Sequence, residues 1–339
     1  DWNFGGWFYR STFDKPIVAD RLFEFDGRTA MAGGIDGEVH FGGVVGSASH
    51  VTLFGELARS EGVAGVAGAV LSFGRRTNVA ALLRSYSPRF VSLHANGFGE
   101  RSDTKNERGF YIGAETEISR GFRLTGYLDH YAFPWRTFSN PLPASGRDIL
   151  VQCEASLTRT CDLVLRYSHK KQESSESSTD SLQRSIRPMV DRHQQKLRLT
   201  ATLQAGKNLR LKGRAEATTV AYPLLERSEK GFLFYQDIQH KLSRSFTLEA
   251  RLIFFHTDSY DSRLYEYEND LRGVFANLAL YGKGWRWYLL MRWRVADIIS
   301  FSAKYAETRK EGVASLGSGL TEILGDVDNR IGVQVEITW

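Results

Sequence analysis

The last ten residues of the chain alternate strictly between apolar and polar side chains. The apolar positions are Ile331, Val333, Val335, Ile337 and Trp339, and the residues between them are polar or glycine. Successive side chains of a β-strand point to opposite faces, so this period of two predicts a strand with one apolar and one polar face. The same alternation recurs in the segments 161–170, 196–203, 209–217, 246–254 and 285–294.

The alternating segments are long, at about 10 to 13 residues where strands usually have 5 to 6. Strands of about 9 to 11 tilted residues span a bilayer. Because backbone groups in lipid must all be paired, such strands have to close into a barrel. Charged polar faces and aromatic residues towards the strand ends are typical of transmembrane barrels. The sequence therefore predicts an all-β fold, a closed antiparallel transmembrane β-barrel of about 18 strands (roughly 16 to 20) in the cell outer membrane.

Counting back from Trp339 suggests where the individual strands lie. The segments are 3–12, 19–30, 33–44, 48–60, 63–74, 77–88, 109–119, 122–132, 148–158, 161–171, 190–204, 207–221, 231–243, 244–257, 263–270, 273–281, 284–294, 297–308 and 327–339. Long polar connections are predicted at 89–108, 134–147, 172–189, 222–230 and 309–326. Single-chain bacterial barrels have even strand counts, so one segment of this odd set is wrong or a strand lies upstream. We expect residues 1–339 to form a single barrel domain, the C-terminal part of a longer chain.

Composition excludes several other classes of protein. The chain has 339 residues and is 12% aromatic, which is too much for a disordered protein. A mean hydropathy of −0.32 and the lack of any run of about 18 apolar residues argue against a helical membrane protein. Cys153 and Cys161 flank a tight turn about 13 Å apart at the usual strand rise, beyond disulfide reach, so both thiols are predicted to be free. A soluble β-sandwich remains the structural alternative.

Basic residues dominate the predicted polar face, which would line the interior of a barrel. They are Arg166, Lys196, Arg198, Arg210, Lys212, Arg214, Arg251, Arg286, Arg292, Arg294 and Arg330. A basic interior favours anions, including phosphate polymers. The alternative is a ladder of cross-strand ion pairs that merely satisfies a polar interior.

Signals of catalysis are weak. The eight histidines are scattered, and none has the spacing of a metal-ligand pair. Asp129 and His130 are adjacent in a predicted strand, so they face opposite sides and cannot line one site. We therefore predict no enzyme activity, no catalytic residue, no metal and no cofactor.

The end of the chain carries a candidate assembly signal made of Trp339, Ile337, Val335 and Val333. A terminal aromatic residue after alternating apolar residues resembles the signal by which the barrel-assembly machinery recognises its clients. The alternative is a tryptophan that anchors the chain at the membrane interface. The predicted partners are outer-membrane lipid, the barrel-assembly machinery and other envelope subunits, with nucleic acid as a further candidate.

The order of several short motifs over residues 50–339 resembles a known family. The motifs are 86–90, 97–100, 108–113, 133–135, 232–237, 260–265, 268–270, 281–284, 317–320 and 322–323. They resemble the C-terminal outer-membrane β-barrel region of Bacteroidota and Chlorobiota proteins that often carry an upstream competence-type helix-hairpin-helix region. The resemblance implies a conduit or scaffold subunit of an envelope complex, linked to transport of nucleic acid or other macromolecules. The alternative function is an anion-preferring porin.

Overall fold

The computed structural model describes residues 1–20, 22–45, 48–180, 182–317 and 319–338. Its strands are β1 (Trp2–Ile17), β2 (Gly27–Val45), β3 (Ala48–Arg59), β4 (Val63–Phe73), β5 (Thr77–Tyr86), β6 (Glu107–Ser119), β7 (Phe122–Phe133), β8 (Ala144–Thr158), β9 (Cys161–Ser175), β10 (Ser178–Thr179), β11 (Ser185–Ile186), β12 (Met189–Gln204), β13 (Leu209–Tyr222), β14 (Arg227–Lys241), β15 (Phe246–Thr257), β16 (Leu264–Glu268), β17 (Ala276–Leu280), β18 (Lys283–Ala296), β19 (Ile299–Lys310), β20 (Ser315–Leu316), β21 (Ile323–Leu324) and β22 (Val327–Ile337). Within those residues, no helix has the length and apolar character needed to cross a membrane.

Sixteen of the described strands form one sheet, in the order β1-β2-β3-β4-β5-β6-β7-β8-β9-β12-β13-β14-β15-β18-β19-β22. Neighbouring strands in the sheet are therefore also consecutive sheet strands in the sequence. The pairings are antiparallel, as in β15 and β18, where Ala250 lies opposite Leu289. The six other strands form three two-stranded hairpins, β10 with β11, β16 with β17 and β20 with β21.

The sheet has 16 strands in the described residues, which is below the central value of about 18 but at the lower end of the predicted range of 16 to 20. Of the segments predicted as separate strands at 19–30 and 33–44, the second lies within the long strand β2, whereas the first contributes only its residues 27–30 to that strand and residues 22–26 form no strand. The segments 263–270 and 273–281 are indeed extended, as β16 and β17, but they pair with each other outside the main sheet. Alternation identifies a strand and its faces, but it does not identify the strand with which it pairs.

The long connection predicted at 222–230 is also wrong. β13 ends at Tyr222 and β14 begins at Arg227, so only a short turn that includes Pro223–Leu225 joins them. The polar run that suggested a loop belongs to the strand, where Glu229 lies opposite Val220.

The chain divides into two compact units. The first comprises Asp1–Val151, Ser168–His193 and Pro223–Leu225. The second comprises Gln152–Tyr167, Gln194–Tyr222 and Glu226–Trp339.

Each unit separates its side chains onto an apolar face and a polar face. In the first unit, Ile35 of β2 lies opposite Leu57 of β3, and both are more than half exposed. On the other face of that unit, the charged side chains of Arg84 and Glu107 are buried. We call the first of these surfaces the apolar face and the second the polar face. Exposed apolar surface of this extent marks contact with a membrane or with another protein.

The apolar face of the second unit has aromatic rows towards both strand ends. At one end Phe246 lies opposite Trp293, which in turn lies opposite Phe301. Towards the other end Phe254 lies opposite Trp285. Between the rows lies an aliphatic band that includes Leu289. Such an apolar band flanked by aromatic residues is characteristic of a strand surface that crosses a bilayer.

Candidate functional site

In the second unit, the hairpin of β16 and β17 lies on the polar face of the sheet. We call residues 264–280 the cover hairpin. Leu264 and Leu280 are buried in a cluster with Leu233, Tyr235 and Ile253. Apolar contacts of this kind fix the hairpin against the strands, since each buried aliphatic side chain contributes about 1.5 to 3 kcal/mol.

The alternation of β16 explains which of its side chains meet the sheet. Glu266 and Glu268 are buried, whereas Tyr265 and Tyr267 between them are exposed. Two carboxylates therefore point at the polar face from a strand only five residues long. Buried charges are tolerated only where they are paired and hydrogen-bonded.

Glu266 is held by arginines of two strands. Arg251 Nη1 donates to Glu266 Oε1 at 2.8 Å and to the Tyr267 carbonyl at 2.7 Å. Arg214 forms a second ion pair with Glu266. The other nitrogen of the Arg251 fork donates to Asp237 Oδ2 at 2.8 Å, and the guanidinium lies 4.3 Å from the ring centroid of Tyr235. One arginine thus links the sheet to both the backbone and a side chain of the hairpin.

Glu268 forms a second ionic centre beside the first. Arg286 donates to both of its carboxylate oxygens, at 2.6 and 2.9 Å. This bidentate geometry is the strongest that an arginine and a carboxylate form. Lys304 bridges Glu268 and Asp270, at 3.2 and 2.8 Å.

The turn of the cover hairpin is attached in the same way. Asn269 Nδ2 donates to Glu249 Oε2 at 2.6 Å, and Glu249 is also ion-paired with Arg292. Arg272 forms an ion pair with Glu336 of β22 at 2.9 Å. Contacts from β13, β15, β18, β19 and β22 therefore hold a single hairpin in place.

In the first unit, the connection between β5 and β6 also lies on the polar face. We call residues 87–106 the cover segment. Phe90 is buried against Ala58, Ala64 and Tyr86. The Tyr86 hydroxyl donates to the Phe98 carbonyl at 2.8 Å. The polar connection predicted from the sequence therefore contacts the strands through the Phe90 side chain and the Phe98 backbone.

A buried ion triad lies beneath the cover segment. Arg84 Nε donates to Glu107 Oε1 at 2.6 Å, and its other two nitrogens donate to the carboxylate of Asp129 at 2.8 and 3.0 Å. Gly109 faces Arg84 across the β5–β6 pairing, and a Cβ there would overlap the guanidinium. The absence of a side chain at this position lets the arginine reach β7.

The carboxylate of Glu107 connects the triad to the cover segment. It accepts the backbone N–H of Glu100 at 2.9 Å. Glu100 in turn forms an ion pair with Lys170 of β9. Burial raises the pKa of the Glu100 carboxyl above its usual range, while the charge of Lys170 acts in the opposite direction.

Most residues of the predicted basic face are engaged with neighbouring groups. The ion pairs are Arg198 with Glu216, Arg214 and Arg251 with Glu266, Arg286 with Glu268, Arg292 with Glu249 and Arg330 with Asp328. Arg166 donates to Gln152 at 2.6 Å, and Lys196 also has an interaction partner. Within the described part of the chain, Arg210, Lys212 and Arg294 form no ion pair. An anion-binding role of the eleven residues stays a prediction.

The predicted assembly signal is only partly within the described residues. Val333, Val335 and Ile337 lie on the apolar face of β22 and are about 60% exposed. Trp339 lies outside the described residues. Its role in recognition by the assembly machinery stays a prediction.

Neither cysteine nor acidic clusters provide a metal centre in the described residues. Cys153 and Cys161 are free thiols, as predicted. No group of three or more His, Cys, Asp or Glu side chains in that part of the chain is arranged to hold a metal ion. Asp129 is committed to the triad with Arg84, whereas His130 is exposed, as their alternation predicts.

Comparison of the sequence with protein-family models finds no match, and comparison with curated proteins finds none either. Solved structures do resemble the chain. OmpT, an outer membrane protein of Vibrio cholerae, is 10% identical with a TM-score of 0.42, and the match covers 100% of this chain and 97% of that chain. An anion-selective porin from Comamonas acidovorans is 10% identical with a TM-score of 0.43, covering 99% of each chain. The siderophore receptor PirA from Acinetobacter baumannii is 11% identical with a TM-score of 0.48, covering 99% of this chain and 58% of the receptor.

Proposed function

We propose that the chain is a β-barrel of the outer membrane, closed by pairing of β22 with β1. The support is the exposed apolar face, its aliphatic band and the aromatic rows towards both strand ends. The sheet strands are 10 to 19 residues long, which is enough to span a bilayer when tilted. A barrel of 16 strands is wide enough for an aqueous interior.

Within such a barrel, we propose that the protein acts as a restricted conduit or scaffold subunit of an envelope complex, without enzymatic activity. The observation that carries this proposal is the cover hairpin, which is attached to the polar face by the carboxylates of Glu266 and Glu268. The cover segment has the same relation to the polar face of its own unit. In a closed barrel both elements would occupy the interior and reduce its free cross-section.

An anion-preferring porin is the second candidate. It is favoured by Arg210, Lys212 and Arg294, which form no ion pair in the described residues and lie on the polar face. Unpaired cations along a pore raise the local concentration of anions. Reversal potentials measured in a salt gradient distinguish the porin from the scaffold. A porin of this kind should show anion selectivity, whereas a scaffold with little conductance should show no measurable selectivity.

Removal of the cover hairpin is expected to raise the conductance of the protein several-fold. Residues 264–280 would be replaced by a short Gly-Ser linker and the conductance measured in planar lipid bilayers. The wild-type protein should conduct weakly, because its interior is narrowed, and the variant should conduct like an open barrel of this strand count. As a matched control, the same linker would replace residues 313–324, where Leu320 and Leu324 are exposed, and conductance should remain at the wild-type level. Equal conductance of all three proteins would contradict the proposal.

A further inference from the structure

We infer that a cavity under the cover segment binds a small organic cation of the ammonium class. The cavity has a volume of about 340 Å³ and lies between the cover segment and the polar face of β1, β3, β4 and β5. That volume is at the lower end of the range for small-molecule sites. All of its described lining residues belong to the first unit, so the inference does not depend on closure of the sheet or on conductance.

Four aromatic side chains line the cavity. Trp7 and Tyr9 of β1 are nearly parallel, with ring centroids 6.0 Å apart. Tyr86 of β5 and Phe90 of the cover segment line it from buried positions. The face of an aromatic ring attracts a cation within about 6 Å of its centroid, and cages of such rings hold quaternary ammonium groups.

The two rings of β1 are held in place by their surroundings. A Cβ at Gly34, which pairs with Trp7, would come within 2.8 Å of the indole, so the glycine leaves room for the ring. The Tyr9 hydroxyl donates to Ser92 Oγ at 3.1 Å and accepts the backbone N–H of Leu93 at 2.9 Å. Because the rings are fixed before a ligand arrives, binding costs little side-chain entropy.

The cavity carries a negative charge. Glu56 is the carboxylate among its described lining residues, which include His94 but no lysine or arginine. Glu56 Oε1 accepts the indole N–H of Trp7 at 3.0 Å, and Glu56 forms no ion pair within the described part of the chain. By contrast, the polar-face carboxylates of Glu107 and Glu266 are bound by arginines.

A second carboxylate lies beside the first. Asp36 of β2 is directly opposite Glu56 in the register of β2 and β3. Among the described residues, Asp36 also lacks an ion pair. Like charges directly opposite each other in a sheet are destabilising. A cation bound at Glu56 would offset this repulsion.

The combination of rings and carboxylates selects the ligand class. An anion would be repelled by Glu56 and Asp36. A hard metal ion prefers several oxygen ligands, and it would leave the aromatic wall unused. An uncharged apolar ligand would leave the Glu56 charge without a partner. An ammonium group with carbon substituents offers positive apolar surface to the rings and its charge to the carboxylate, so it uses the whole cavity.

The test is equilibrium dialysis of radiolabelled choline against the purified full chain in a maltoside detergent. The matched ligand is the neutral analogue of choline, in which a carbon atom replaces the nitrogen. Choline should bind about tenfold more tightly than this analogue, because both the rings and Glu56 favour the charge. Equal binding of choline and the analogue, or no binding of choline, would overturn the inference.

Three variants identify the groups that bind the cation. Glu56→Gln keeps an oxygen for the indole N–H of Trp7 but removes the charge, and it should weaken choline binding about tenfold. Trp7→Leu should weaken it to about the same extent, whereas Trp7→Phe should stay within about threefold of the wild-type protein. Both Trp7 variants lose the indole N–H, so the difference between them reports the ring alone.

Two controls separate loss of the cation site from loss of the fold. Binding of the neutral analogue should be unchanged in Glu56→Gln, which shows that the cavity is intact. Asp14→Asn removes an exposed carboxylate farther along β1, outside the lining of the cavity, and should bind choline like the wild-type protein. Choline binding that is unaffected by Glu56→Gln, or weakened as much by Asp14→Asn, would contradict the assignment of the site.

Discussion

Replacing Arg84 by methionine is expected to lower the free energy of unfolding by about 3 to 5 kcal/mol. The side chains of Arg84 and Glu107 are fully buried, and that of Asp129 is 9% exposed. Loss of the arginine leaves two carboxylates in a buried site without a counter-charge. Breaking a buried ion network by removing one partner is strongly destabilising for this reason. Equilibrium unfolding in urea, with the protein in detergent or lipid, measures the change.

Two further variants separate the loss of charge balance from the loss of packing. The triple variant Arg84→Met/Glu107→Gln/Asp129→Asn should recover most of the stability, because it removes the unpaired charges and keeps an oxygen that accepts the N–H of Glu100. The matched surface variant Arg123→Met loses only a half-exposed pair with Glu115 at 4.0 Å, which is worth about 0 to 1 kcal/mol. If the triple variant is as unstable as Arg84→Met, buried charge is not the cause.

Replacing Leu289 by arginine is expected to destabilise the protein by about 2 to 4 kcal/mol in a bilayer. Leu289 lies midway along β18 on the apolar face, where it is 40% exposed and pairs with Ala250 and Tyr305. An arginine there would place its charge at the level of the aliphatic band. In lipid the cost of such a charge is greatest at the midplane.

Val295→Arg is the matched control for this substitution. Val295 lies on the same face of β18, next to the end of the strand, and is 50% exposed. Near the membrane interface the cost of arginine should fall to about 0 to 1 kcal/mol. If this face met water instead, both positions would be solvated, and neither variant would lower the free energy of unfolding appreciably. Equal costs at the two depths contradict a membrane location of this face.

The face of the sheet on which each side chain lies could be predicted from the sequence, because it depends only on the alternation of neighbouring residues in a strand. In β22, the apolar parity of Val333 and Val335 is the one exposed in the structure. The partners of a strand depend on residues far along the chain. The strands β16 and β17 are extended segments like their neighbours, yet Leu264 and Leu280 pair with each other and pack onto the main sheet. An alternation with a period of two is compatible both with a strand in the main sheet and with a strand in a separate hairpin.

The buried ionic sites were missed for a related reason. Arg84, Glu107 and Asp129 come from three strands, and their convergence depends on register and on the space left by Gly109. The sequence of β16 does contain one local sign of a buried ionic site. Glu266 and Glu268 lie on the same face of the strand as Leu264, and carboxylates on a buried face require cationic partners opposite them.

The membrane barrel itself is tested most directly by heat-modifiable migration of the refolded chain. The denatured protein would be diluted into detergent micelles and, separately, into buffer alone, and run on a gel with and without boiling. A closed barrel keeps its strands paired in the gel when unheated, since every edge is satisfied. We predict a faster unheated band from the micelle sample, with no folded band from buffer alone. A chain that folds in buffer without detergent and shows no shift on heating would contradict the account.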